Sequence, residues 1–168
     1  MPQHSGAEER PTVAYFAVAR PKEHSQGNIY KNAPYVMPAS AGRSLTIVAR
    51  DVMLVTRSCD LDYGPAAVQI APVVDVGTRV TPLQIDDIRK YDCFHDVMYL
   101  PTEGGVLERL VNFGAIQSIG MDTLARCERI AMLTYTATQQ LQRKLAIHWT
   151  GLHIPREEFR PPSDDFST

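Results

Sequence analysis

For most of its length the chain alternates short apolar runs with turn formers, and only near its end does the pattern become helical. Thr12–Ala19 (TVAYFAVA) is an apolar run with the dimensions of an edge strand. Gly27–Tyr30 opens a second short strand after a polar loop. Leu45–Val48 and Val52–Thr56 are apolar and β-branched, separated by the polar pair Arg50–Asp51, and read as one long bent strand or two short ones. Ala66–Val74 reads as a buried strand. Pro72 confines it there to an edge or a bulge, because proline donates no ladder hydrogen bond. Before it, Asp62-Tyr63-Gly64-Pro65 is a set of turn formers suited to a hairpin loop. Val97–Leu100 and Val106–Ile119 are strand-like, joined by the hairpin signal Thr102-Glu103-Gly104-Gly105.

Two segments carry helix signals. Thr81-Pro82 starts a short helix with Leu83, Ile85 and Ile88 on its apolar side. The stronger helix comes last. Thr136 and Gln139 form a capping box, Ala137, Leu141, Leu145, Trp149 and Leu152 form an apolar stripe, and Gly151 stands where a helix stops. Many short strands with one strong terminal helix predict a mostly β fold, a small barrel or half-open sheet plugged by that helix. Residues 1–10 are polar and expected to be disordered, residues 11–152 form a single domain, and residues 153–168 make a proline-bearing acidic tail suited to lie on a partner.

Composition narrows the functional classes. A length of 168 residues with 44% hydrophobic content supports one domain with a sizeable core. The net charge of −2 argues against a strongly basic nucleic-acid binder, while leaving room for a local basic groove. No apolar run has the length of a membrane span, and the first ten residues lack a leader's apolar region. Three widely spaced cysteines do not make a disulfide framework, so the expected compartment is the reducing cytoplasm.

The densest polar cluster is Thr56-Arg57-Ser58-Cys59-Asp60-Leu61-Asp62, at the point where an apolar strand runs into a loop. Arginine there can stabilise phosphate charge, and the hydroxyl, thiol and carboxylates can transfer protons or attack. The same residues can equally shape a turn, with Asp60 capping the backbone and Cys59 acting as a small apolar side chain. Cys59, Cys93, His95 and Cys127 have the ligand types of a zinc site but not its spacing, so no metal or other cofactor is expected. Phosphate-binding loops, dinucleotide fingerprints, zincin motifs and nucleophile elbows are missing from the sequence.

Three segments, in order, resemble the MazF/PemK toxin family. Gly27-Asn28-Ile29-Tyr30 is similar to the segment that opens that barrel. Arg50–Thr56 resembles its arginine followed by a hydrophobic strand, and Val68–Val74 with Ala71-Pro72 resembles the next strand. Ser58-Cys59-Asp60 is similar to a segment of a diverged subgroup. The resemblance covers residues 27–151. It implies an SH3-like barrel closed by the C-terminal helix, a homodimer, and metal-independent cleavage of single-stranded RNA with Arg50 stabilising the phosphorane-like charge. Asn28 replaces the family's opening aspartate, and no hydroxyl follows the Ala-Pro strand until Thr78.

Two readings follow. The first is a binding module for a protein partner such as an antitoxin, or for nucleic acid, in a toxin–antitoxin or defence setting. The alternative is an endoribonuclease. In either, Arg50, Arg57, Ser58, Cys59 and Asp60 are the candidate catalytic group, and Lys31, Arg43, Thr56, Asp62 and Arg79 are the candidate contacts to RNA or partner. The binding reading is preferred, because the family's assisting hydroxyl is not in place.

Overall fold

The computed structural model describes residues 14–17, 24–38, 44–76, 84, 88, 96–103 and 107–151. Its strands are β1 (Phe16–Ala17), β2 (Ile29–Pro38), β3 (Leu45–Leu54), β4 (Ala67–Asp75), β5 (Val97–Leu100), β6 (Arg109–Asn112), β7 (Gln117–Gly120) and β8 (Glu128–Leu133). They form one antiparallel sheet in the order β1-β8-β2-β3-β4-β6-β5, with β7 paired to β4 off that path. The chain is therefore mostly β, as its pattern predicts. Among the described residues the sheet does not close, since its end strands β1 and β5 share no ladder. Beside these ends the Tyr15 N–H donates to the Glu103 carboxylate at 2.6 Å.

Pro72 explains how β4 serves three neighbours. Ala67–Ile70 pairs with β7 and Val73–Asp75 pairs with β6. Pro72 lies between these ladders and pairs only with Val52 of β3. A residue without an N–H fits the point where one partner strand stops and the next begins. Alternate residues of β2, β3 and β4 point to opposite faces and build two cores. One gathers Ile29, Met53, Ala71, Val111 and Phe113 beneath the terminal helix residues Leu141 and Leu145. The other gathers Tyr30, Tyr35, Val52, Leu54, Ile70 and Leu124 on the opposite face.

The helices are α1 (Ser58–Leu61), α2 (Met121–Leu124) and α3 (Tyr135–Thr150). None of the described helices is long and apolar enough to cross a membrane. The α3 cap is Thr134, not Thr136. The Thr134 hydroxyl accepts from the Ala137 N–H at 3.3 Å and donates to the Ala14 carbonyl at 2.9 Å. The helix starts directly from β8, so Thr136 is already inside its first turn. Gly151 ends it in the left-handed conformation at φ 64°, as its position predicts. The stripe also shifts. Trp149 is 56% exposed, whereas Lys144 is buried and donates to the Val97 carbonyl at 2.9 Å. Each four-residue step advances about 40° around a helix, so three steps carry Trp149 about 120° away from Ala137. The expected starts of the first helix at Thr81-Pro82 and of the tail lie outside the described residues.

Candidate binding groove

Beyond its first turn the β2–β3 hairpin leaves the sheet as a two-stranded ribbon. β8 pairs with β2 only at Ile29–Lys31, and β4 pairs with β3 only at Val52–Leu54. The register of β2 against β3 shifts between Tyr30 and Ala33. Asn32 takes a positive φ of 53° there and its N–H donates to Asp51 Oδ1 at 3.1 Å. This bulge re-aims the ribbon. From there the pairs are Ala33–Arg50, Tyr35–Val48 and Met37–Thr46 on one face, and Pro34–Ala49, Val36–Ile47 and Pro38–Leu45 on the other.

The ribbon is tied to the turn before β7 and to the first residue of β7. The Tyr35 hydroxyl donates to the Ala115 carbonyl. The Gln117 amide imitates a strand partner, accepting from the Val36 N–H at 3.0 Å and donating to the Val36 carbonyl. A groove of about 340 Å³ remains between ribbon and sheet. Tyr35, Val36, Met37, Pro38 and Arg50 line one side, and Pro72, Val74, Asn112, Ala115, Ile116 and Gln117 the other.

Arg50 is the cation of this groove. It is half-buried, and its Nη2 lies 3.3 Å from Met37 Sδ. Among the described residues it has no carboxylate partner. Its sequence neighbour Asp51 does not neutralise it, because adjacent strand residues face opposite ways. Asp51 instead takes the Asn32 N–H and lies 3.7 Å from Arg109, which is also 2.9 Å from Asp75. A planar guanidinium beside apolar walls is suited to a carboxylate or phosphate, which it can hold with two parallel hydrogen bonds. Among the described residues the lining contains no Asp, Glu, His, Lys or Cys. The other titratable group among those described lining residues is the Tyr35 phenol, already bonded to Ala115.

The polar cluster after β3 lies elsewhere and contributes no lining residue. Its members serve the chain's own turn. Thr56 Oγ1 accepts from the Gln69 N–H at 2.7 Å, and Ser58 Oγ accepts from the Gln26 N–H at 3.1 Å. Arg57 and Asp60 make a two-pronged ion pair at 2.9 and 3.1 Å, with their side chains 66% and 43% exposed. The hydrogen bond to Asp60, with its charge, raises the Arg57 pKa further. Cys59 is exposed with Sγ 3.9 Å from Asp60 Oδ1, and Asp62 is exposed. Lys31 is exposed on β2 opposite Glu128. Arg43, Arg79, Cys93 and His95 lie outside the described residues. Among the described residues no three metal-ligating side chains cluster. Of the sequence candidates among the described residues, the groove gathers Arg50 and none of the others.

Tyr35, Met37, Asn112 and Gln117 were not legible as site residues. The signal for the first two was the alternation in Pro34-Tyr35-Val36-Met37-Pro38, whose prolines punctuate it like a loop. A second polar pair was also missed. The Tyr30 hydroxyl bonds to His24 Nδ1, and the rings stack with centroids 5.8 Å apart. Burial pushes the Tyr30 phenol above its ordinary pKa, and burial reinforced by Arg129 pushes His24 below its own. Comparison with protein-family models and with curated proteins finds no match to this chain.

Proposed function

We propose that the chain is a binding module of the MazF/PemK-like, SH3-barrel kind whose groove takes an acidic segment of a protein partner. The observation that carries this is Arg50, a half-buried guanidinium in an apolar groove with no carboxylate partner among the described residues. Burying a charge without a partner is unfavourable, and an incoming carboxylate removes that penalty while gaining charge-assisted hydrogen bonds. A peptide fits better than RNA, because tracking a phosphate backbone takes several cations and the described lining of this groove offers one. Binding fits better than cleavage, because among the described residues the lining has no acid–base pair next to Arg50. In a toxin–antitoxin or defence setting such a partner is an antitoxin-like chain, and the family's homodimer belongs to the same reading.

The test is fluorescence anisotropy with two labelled probes, a glutamate- and phenylalanine-containing peptide and a short single-stranded RNA, against wild type and Arg50→Gln. The peptide binds wild type and loses about tenfold or more with Arg50→Gln, matching the loss of a charged hydrogen bond. RNA that is bound in preference, or cut in EDTA with dependence on Arg50, overturns the proposal in favour of an endoribonuclease.

A further inference from the structure

The two outer edges of the β2–β3 ribbon differ in a way that identifies how a ligand lies there. Val36 sends its N–H and carbonyl to the Gln117 side chain, away from β3. In an antiparallel ladder, opposite residues belong to the same kind of pair, so Ile47 turns its own N–H and carbonyl away from β2. The same alternation holds for Pro34–Ala49 and Pro38–Leu45. Prolines have no N–H, and outward-facing edge positions are where a sheet tolerates them. The β2 edge is thus blunted twice over, by Pro34 and Pro38 and by the Gln117 amide.

Among the described residues the β3 edge has no such protection. Its outward groups belong to Leu45, Ile47 and Ala49, and among the described residues no strand pairs with this side of β3 before Val52. The Leu45 and Ile47 side chains are 75% and 72% exposed. With Pro34, Val36, Pro38 and Ala49, all exposed, they form a continuous apolar ribbon face. The stretch Leu45–Ala49 carries neither charge nor proline, and an unpaired edge of that kind is a template for another strand.

The geometry points to the β3 edge, Leu45–Arg50, as a docking site for an extended peptide strand of a partner, with apolar residues alternating with an acidic one. A strand added in antiparallel register places one set of its side chains along Leu45, Ile47 and Ala49. The other set falls on the opposite ribbon face, beside Thr46, Val48 and Arg50, of which Arg50 lines the groove. One occupant then covers the exposed apolar face, fills the open ladder and delivers a carboxylate to Arg50. This rests on the reading of Arg50 as an anion anchor and adds the ligand's conformation, register and sequence pattern. Apolar side chains toward one face and a carboxylate opposite Arg50 are the recognition rule.

The test uses the full chain, isotope-labelled, with the synthetic probe acetyl-Glu-Ile-Thr-Ile-Thr-Ile-amide, whose glutamate falls opposite Arg50. Saturating probe slows hydrogen exchange at the Leu45, Ile47 and Ala49 amides about tenfold or more and leaves the Val36 amide unchanged. N-methylating the probe at alternate positions abolishes binding for the set that faces β3 and spares the other set. Ile47→Pro weakens binding similarly, and the N-methyl series reads the same ladder if that variant fails to fold. Binding that depends on Arg50 but ignores N-methylation and leaves the Ile47 amide exchanging freely overturns the strand while leaving the acidic-ligand function standing. Ile47 protection that persists in Arg50→Gln without loss of affinity supports the edge and overturns the anion anchor. Ile47 protection that rises with protein concentration in the absence of probe assigns the edge to a second copy and overturns the peptide.

Discussion

Arg50 and Arg57 stand seven residues apart at two ends of one stretch of chain, and they have opposite environments. Arg57 sits in the polar turn after β3, exposed and clasped by Asp60. Arg50 sits on the ribbon, half-buried against Met37 and facing a groove whose described lining holds no carboxylate. The turn is dense in chemical groups and consumes them itself: Thr56, Ser58 and Asp60 all bond within the chain. The groove is sparse and leaves its one charge open. Capacity to bind follows from the interaction that the fold leaves unmade, and crowding of polar residues along a sequence is a poor guide to it.

The largest effect tests the strand that joins the two regions. Leu54 is fully buried between them, and Leu54→Ala costs about 2–5 kcal/mol in chemical denaturation, because a truncated core side chain leaves a cavity. Next comes the direct contrast. Arg50→Gln lowers affinity for an acidic peptide by about tenfold or more, while Arg57→Gln leaves it unchanged in the same titration. Equal losses would collapse the distinction between groove and turn. Thr56→Ala removes the acceptor that holds the Gln69 N–H and costs about 1 kcal/mol of stability, without altering peptide affinity.

His24 has a lowered pKa in the folded chain, so the unfolded chain binds the proton more readily. Its contribution is therefore neutral above the unfolded value of 6.5 and turns destabilising as pH falls below it, toward the lowered folded value. His24→Gln flattens that part of the denaturation midpoint's pH dependence. Asp60→Asn breaks an exposed ion pair and leaves the denaturation midpoint within experimental error. A measurable loss there would mean that the turn supports the fold more than its exposure implies.

The strands legible beforehand were those whose residues favour a pleated, half-buried surface in themselves: Leu45–Leu54, Ala67–Asp75 and Val97–Leu100. β2 was read too short, because Pro34 and Pro38 resemble breakers, although at an edge they need no N–H. β8 was not read at all. Glu128 and Arg129 interrupt its apolar pattern, and only its place between β1 and β2 makes Ala131 and Leu133 core residues. The run Val106–Ile119 divides into β6 and β7 because a 3-10 turn at Phe113–Ala115 lets the two strands pair with different halves of β4.

By itself the sequence determined the class of fold, the reversal at Asp62–Pro65 and the stop at Gly151, because β-branched runs, turn formers and a left-handed glycine act over a few residues. It also marked Arg50 as a residue to watch. The tertiary structure alone decided that Arg50 is open. Along the chain it adjoins Asp51, and that pair reads as self-neutralising. The pleat sends Asp51 to the other face, where Asn32 and Arg109 meet it, and leaves Arg50 facing the groove. Which charges meet depends on the strands that fold places on either side, and no local pattern encodes that.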